Sequence, residues 1–395
     1  MDPMTHYDEL MAMPALAPSR WAEPCTHQEC SLHQLSPYIG KLKSSIAQDL
    51  ILKYSQPGEL VADMFCGSGT VPLEAARLGR RVFASDASLY AVTLTQGKLQ
   101  APLTSATALA KLEDLLQCVD ALPMPDLRCV PPWVRAFFHP HTLKEALRFA
   151  QLLQRERQYF LLSSLLGILH HQRPGFLSFP SSHLVPYLRS KKFPPAGYPD
   201  LYTYRPLAPR LRAKVARALK RPPTRALVGF VEDICQSSVE SVNLPKEIDC
   251  VITSPPYMNA LDYGRDNRLR LWFLGESYLE SLDKALLDLG GYIRAIHALA
   301  QQLQEKVRPG GYCVFVVGER TTRKGDRFPS EVLTRIFAQH ASALRLDHII
   351  SDIIPDIRRS RRHLAGVRRE HILVFKKDKA CVAISPKQSC FSASL

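Results

Sequence analysis

The chain has no apolar run approaching the roughly 18 residues that a membrane-spanning helix requires. Its opening, Met1-Asp2-Pro3-Met4-Thr5, lacks the basic-then-apolar pattern of a secretory signal. These absences lead to the expectation of a cytoplasmic protein with no membrane partner. In that compartment its ten cysteines are free thiols, mostly buried. There is no internal repeat and no low-complexity tract, which excludes a solenoid. Two Cys and two His cluster at Cys25, His27, Cys30 and His33, but the distant ligand pair usual for a structural zinc site is missing, and no metal is expected.

What is abundant is positive charge. Lys and Arg total 51 against 37 Asp and Glu, a formal net charge of +14 over 395 residues. An excess of that size points to a polyanionic partner. The hydrophobic fraction of 46% is ordinary and supplies a sizeable core. The length is long for one domain and short for three.

Two local patterns carry the chemistry. In the first, Leu60 to Phe65 reads as a buried strand, Cys66-Gly67-Ser68-Gly69-Thr70 as a tight Gly-rich turn, and Val71 to Gly79 as a helix with a Gly stop. A second strand, Arg81 to Asp86, ends in an acid. This is a β-α-β unit with a nucleotide-type site at its strand ends. Gly67 and Gly69 let the backbone approach a ligand closely, and Asp86 is placed to accept from ribose hydroxyls. The turn lacks the third glycine of a dinucleotide fingerprint and the Gly-Lys-Ser/Thr of a phosphate cradle, which weakens both of those readings.

The second pattern is Thr253-Ser254-Pro255-Pro256-Tyr257, after the apolar Asp249-Cys250-Val251-Ile252. Ser254 offers a hydroxyl acceptor and Pro255 a carbonyl acceptor, and neither proline has an N–H to compete. Tyr257 offers a flat ring for a base. Two acceptors facing an aromatic amine draw its lone pair out of conjugation, so an exocyclic amine of a nucleobase becomes a plausible methyl acceptor. No Pro-Cys nucleophile lies near this turn, and carbon-5 methylation of cytosine, which needs a thiolate, is not supported.

Together Asp63-Met64-Phe65-Cys66-Gly67-Ser68-Gly69-Thr70 and Thr253-Ser254-Pro255-Pro256-Tyr257 resemble the S-adenosylmethionine-dependent DNA amino-methyltransferases, in particular the N4-cytosine type. His33 to Leu42 resembles the family's element that packs on the methionine end of the cofactor, and Asp262 to Gly275 the helix after the catalytic turn. The resemblance covers most of residues 31–100 and 225–377. Met64 departs from it, since relatives often carry proline there. The resemblance implies that S-adenosylmethionine is held by Tyr38, Lys41, Asp63, Phe65, Gly67, Ser68, Gly69, Thr70, Asp86, Asp233, Ile234 and Thr253. It implies catalysis by Ser254, Pro255, Pro256 and Tyr257 on a cytosine flipped out of double-stranded DNA. Relatives that act on adenine more often begin this turn with Asp or Asn, so Ser254 points toward cytosine. A cognate restriction endonuclease is an implied functional partner. Adenine N6 in DNA, a base amine in RNA and a non-catalytic nucleic-acid binder are the alternatives. Product analysis and cofactor binding separate them.

The expected fold is a doubly wound α/β Rossmann-like sheet with a largely helical insert between its second and third strands. The expected organisation is an N-terminal extension (1–30), a cofactor half (31–100), an inserted recognition region (101–224), a catalytic half (225–378) and a tail (379–395). Within the insert, residues 142–171 read as mostly helical, 174–209 interleave aromatics with cations, and 210–221 form a basic helix. Lys191, Lys192, Arg212 and Lys214 are the expected DNA contacts. The third strand is expected over Arg225 to Val231, running into Glu232-Asp233-Ile234 with Asp233 near the adenine. A helix near 290–307, a fifth strand from Tyr312 and a closing strand pair follow. The basic loop Arg358 to His363 is a candidate phosphate contact.

Overall fold

The computed structural model describes residues 2–23, 29–171, 175–179, 191, 193–256, 263–276, 289–319, 329–353 and 369–379. Strand periodicity decides how its layers form. Along β2 (Leu60–Asp63), β5 (Ile248–Thr253), β6 (Val307–Glu319) and β8 (Arg369–Lys377), successive side chains leave on opposite faces, and both faces are apolar. Val61, Cys250, Ile252, Val314 and Val374 enter one core, whereas Leu60, Val251, Phe315 and Phe375 enter the other. A sheet apolar on both sides must be covered twice, and this one is.

The remaining strands are β1 (Ala15–Leu16), β3 (Arg81–Asp86), β4 (Val231–Gln236) and β7 (Leu344–Ile353). The spatial order is β1-β7-β8-β6-β5-β2-β3-β4. All pairs are parallel except those of β8, which runs antiparallel to both β6 and β7. After the short edge strand β1, the chain enters the centre of the sheet at β2, winds outward through β3 and β4, returns to β5 and winds out the other way. The expected doubly wound Rossmann-like sheet is present, and its direction reverses between β2 and β5, where such sheets open a crevice at their carboxyl ends.

The first face carries α2 (Ser44–Tyr54), α3 (Thr70–Arg77) and α4 (Leu89–Leu99). The insert follows with α5 (Ser105–Cys118), α6 (Pro132–Arg135), α7 (Pro140–Arg155), α8 (Tyr159–Ile168) and α9 (Leu207–Ala218). It does not form a separate core: Leu112, Phe149, Leu165 and Leu211 share one apolar cluster with Val61 and Val314 of the sheet. Gly97 is what lets α8 lie flat on α4, because a Cβ there would stand 2.4 Å from Ser163 Oγ and 2.7 Å from the Tyr159 carbonyl. After β5 come α10 (Tyr263–Phe273), α11 (Leu289–Lys306) and α12 (Pro329–His340). The last two cover the second face together with α1 (Pro3–Ala12).

Two expectations change. Residues 1–30 are not a mere extension: α1 buries Tyr7, whose hydroxyl bonds Ser330 Oγ at 2.9 Å, and β1 adds a strand to the β7 edge through Ala15 opposite Ile350. The third strand lies later than its apolar run suggested. Val228–Phe230 is a short helical turn, and the strand is Val231–Gln236, pairing Phe83 with Asp233 and Asp86 with Gln236. As the sheet's edge it is half exposed, so it lacks the unbroken apolar run of a central parallel strand.

Candidate active site at the carboxyl ends of β2 and β5

The Gly-rich turn leaves β2 at the switch point. Gly67 and Gly69 both take the left-handed conformation, with φ of 47° and 70°, which favours glycine. A side chain at Gly69 would also put its Cβ 2.6 Å from Thr95 Oγ1 on α4. Space as well as torsion therefore requires glycine there, and the first turn of α3 is drawn close to α4. At Gly67 an added Cβ would meet the Tyr38 ring at 3.3 Å, so the turn's backbone lies directly against that ring.

Two carboxylates organise the floor. Asp86 Oδ2 accepts from the Gly67 N–H and Oδ1 from the Ser88 N–H, both at 2.9 Å, tying the end of β3 to the turn after β2. Burial pushes the Asp86 carboxyl up to about 6, against those two donors. Asp63 Oδ1 accepts from Thr253 Oγ1 at 2.7 Å and from the Phe65 N–H at 3.2 Å, and the Phe65 N–H also reaches Thr253 Oγ1 at 3.2 Å. Thr253 thus joins β5 to β2 below the cleft. Burial raises the Asp63 carboxyl to about 7, the charge of Asp86 adds to the rise, and the Thr253 and Phe65 donors oppose it.

Beneath the turn lies a charged layer that the sequence did not reveal. Lys98, 1% exposed, donates from Nζ to the Ser68 carbonyl. Burial lowers its pKa to about 7, and nearby Lys41 lowers it further. His33 Nε2 meets Glu74 Oε1 at 2.5 Å, and Arg77 Nη1 donates to Glu74 Oε2 at 2.6 Å. Burial drives the His33 imidazole toward its neutral form although Glu74 pulls the other way. Both groups are committed to packing α3 against residues 31–35, which gives His33 a structural role. Among the described residues no group of three or more His, Cys, Asp and Glu side chains could hold a metal, and Cys25 and His27 lie outside those residues.

Of the residues expected at the site, Tyr38, Lys41, Asp63, Phe65, Gly67, Ser68, Thr70, Asp86, Ser254 and Pro256 line one cleft. Gly69, Thr253 and Pro255 are buried in the same two segments and are not among its lining residues. Ser254 Oγ donates to the Val316 carbonyl of β6 at 3.1 Å. With its proton committed there, the hydroxyl keeps its lone pairs for an incoming donor. Tyr257 lies outside the described residues.

Asp233 and Ile234 are not brought in. Asp233 is exposed and pairs with Phe83 in mid-strand, several residues short of the carboxyl end of β4. That end delivers Ser238, Val239 and Glu240 to the cleft wall instead, with Ala87 and Ser88 from the β3 end and Leu271 from α10. The available signal was positional: each of these groups but Leu271 follows directly on a strand end.

The expected DNA contacts also change. Lys214 is buried and donates to the Gln34 carbonyl at 2.8 Å, so it fastens α9 to the cofactor loop. Arg212 is paired with Glu113 through two bonds of 2.6 Å. Its periodicity placed it on the basic face, but a carboxylate from α5 already occupies it. Lys191 is exposed, and Lys192 and the loop from Arg358 to His363 lie outside the described residues.

The sheet order, with its one reversed strand next to the outermost pair, is that of the methyltransferase fold with a Rossmann-like core. Among solved structures the chain is similar to TrmN from Thermus thermophilus, at 12% identity and a TM-score of 0.33, over 88% of this chain and 52% of that one. It thus spans about half the length of TrmN. The rRNA methyltransferase aviRa from Streptomyces viridochromogenes matches at 12% identity and 0.31, over 91% and 90% of the two chains. Geranyl diphosphate C-methyltransferase from Streptomyces coelicolor matches at 10% identity and 0.36, over 92% and 89%. At these scores the likenesses add nothing to the topology itself. No curated protein matches the sequence. The family model described as DNA methylase, for N6 and N4 methyltransferases, matches residues 21–97, the span that carries the Gly-rich turn and Asp86.

Proposed function

We propose that the chain is an S-adenosylmethionine-dependent methyltransferase that modifies the exocyclic N4 amine of cytosine in DNA, with the base extruded into the cleft. One observation carries the reading. The Gly-rich turn after β2 and the Ser254-Pro255-Pro256 segment after β5 open into the same cleft at the switch point of the sheet. The DNA methylase match over residues 21–97 supports the substrate class.

The residues fit the cofactor. Two left-handed glycines leave the turn without side chains at the point of closest approach, and Asp86 stands at the neighbouring strand end as an acceptor for ribose hydroxyls. The Tyr38 ring and Lys41 also line the cleft. When bound, S-adenosylmethionine supplies an electrophilic methyl on a sulfonium. Ser254 then accepts a hydrogen bond from the target amine while its own O–H stays directed at the Val316 carbonyl, and so directs the amine lone pair toward the methyl position. Asp63 and Asp86 place negative charge under the cationic ligand. Orientation and polarisation of this kind supply most of the rate, without a covalent enzyme intermediate.

The carboxyl groups make cofactor binding pH-dependent. Both native pKa values lie above the ordinary carboxylate value, so ionisation costs more in the folded chain than in the unfolded one. Stability of the cofactor-free chain should therefore decline between about pH 4 and about pH 7. Cofactor affinity should move the opposite way, because a cation with ribose donors favours the ionised acids. Titration calorimetry should show S-adenosylmethionine bound roughly tenfold more weakly near pH 5 than on a plateau above about pH 7.5. A Kd that does not change over that range would remove the carboxylates from the site.

Labelled methyl transfer tests the function. Label should pass from S-adenosylmethionine to duplex DNA. Transfer to RNA alone would move the substrate class, and binding of cofactor with no transfer to either would contradict the enzymatic reading.

A further inference from the structure

Beside the cofactor cleft lies a second depression, and the two share Tyr38 and Lys41. Its other wall comes from the insert, through His171, Phe176, Lys214 and Arg217. The junction is tightly built. Gly167 of α8 sits so close to the cofactor loop that a Cβ there would stand 2.4 Å from the Leu35 carbonyl. Lys214 Nζ donates to the Gln34 carbonyl at 2.8 Å and Lys41 Nζ to the His33 carbonyl at 2.9 Å, so Lys214 ties the loop to α9 and Lys41 closes the loop on itself.

Two features of this depression suit a ligand. The His171 and Phe176 rings are stacked, with centroids 5.0 Å apart and planes inclined by 25°. Phe176 is half-buried and so holds its plane in position at the surface. One turn of α9 beyond the buried Lys214, on the same side of the helix, Arg217 is exposed at the mouth. Its guanidinium has no ion-pair partner among the described residues, unlike Arg212 on the same helix. A flat aromatic wall takes a π-face, and a nearby free guanidinium takes an anion. A ligand offering both a π-face and an anion, next to a cleft for a nucleobase, is a nucleotide.

We propose that this depression is a nucleotide subsite for the target strand, holding the base beside the methylated one on Phe176 and His171 and its phosphate on Arg217. The inference rests on the reading of the neighbouring cleft as a nucleobase site. It gives the insert a role in substrate binding through residues other than the periodic basic stripe.

The test uses the full chain with Phe176→Ala and Arg217→Glu, and fluorescently labelled duplex DNA of mixed sequence as the probe, read by anisotropy across a salt series. Loss of a stacked base should weaken binding by Phe176→Ala roughly 5- to 150-fold. Arg217→Glu should weaken it too, and should reduce the log–log salt slope by about one. Calorimetric affinity for S-adenosylmethionine should match the parent in both, showing that the fold is kept. Arg217 is exposed, so its variant decides the matter even if Phe176→Ala disturbs local packing. Parental DNA affinity and salt slope in Arg217→Glu would overturn the subsite and leave the cleft reading standing. A parent chain that methylates neither DNA nor RNA would overturn both.

Discussion

Replacing Ser254 by Ala should slow methyl transfer roughly 10- to 150-fold while leaving S-adenosylmethionine affinity unchanged. The hydroxyl donates to the Val316 carbonyl at 3.1 Å, so its free capacity is as an acceptor. An amine that becomes cationic as it takes the methyl gains from that acceptor most in the transition state. The loss is that of one charge-assisted hydrogen bond, about 1.5–3 kcal/mol. Among the described residues Ser254 makes no hydrogen bond to the Gly-rich turn or to Asp86, which is why cofactor binding should survive. Single-turnover kinetics with saturating cofactor measure the step directly. A variant with parental rate would remove Ser254 from the chemistry, and one with weakened cofactor binding would make its role structural.

Asp86→Ala should weaken S-adenosylmethionine binding by about 1.5–3 kcal/mol, or roughly 12- to 150-fold in Kd. Two losses combine in this change. The ribose hydroxyls lose a charged acceptor, and the Gly67 and Ser88 N–H groups lose their partner in the turn. Asp86→Asn separates them, since its side-chain oxygen retains one backbone bond while the charge is gone. It should fall between the parent and the Ala variant, and its cofactor affinity should lose the part of the pH dependence between about 5 and about 7 that Asp86 supplies, leaving what Asp63 contributes. Unchanged calorimetric affinity in a folded Asp86→Ala would take this residue out of the site.

The parts of the site that were legible in the sequence are those set by local rules. Gly67 and Gly69 signal left-handed backbone, and Asp86 closes a short apolar strand. Thr253 and Ser254 end another, and parallel sheets deliver such ends to one edge. What was hidden depends on partners far along the chain. Lys98 and Lys214 look like surface cations on amphipathic helices until the Ser68 and Gln34 carbonyls are seen to hold them. Arg212 had to find Glu113, almost a hundred positions away, before its charge was accounted for. The third strand was misplaced because an apolar run does not by itself distinguish a buried strand from a packed turn. Leu227 is buried in such a turn, whereas the actual edge strand carries exposed Glu232 and Asp233. With that shift, Asp233 stands away from the cleft and residues 238–240 line it. The β1 strand at 15–16 is only two residues long, and nothing local marks it; pairing with Ile350 and Ser351 makes it.

The central claim is chemical, namely that a nucleobase amine is methylated without a covalent enzyme intermediate. Mass spectrometry of nucleosides from DNA treated with the chain and S-adenosylmethionine tests it most directly. The account predicts N4-methylcytosine. N6-methyladenine would keep the cleft and the mechanism and replace the base. A methyl group on carbon 5 of cytosine would contradict the account, because that reaction needs a thiolate nucleophile, and Cys66, the cysteine lining the cleft, is buried with its thiol pushed well above the ordinary range.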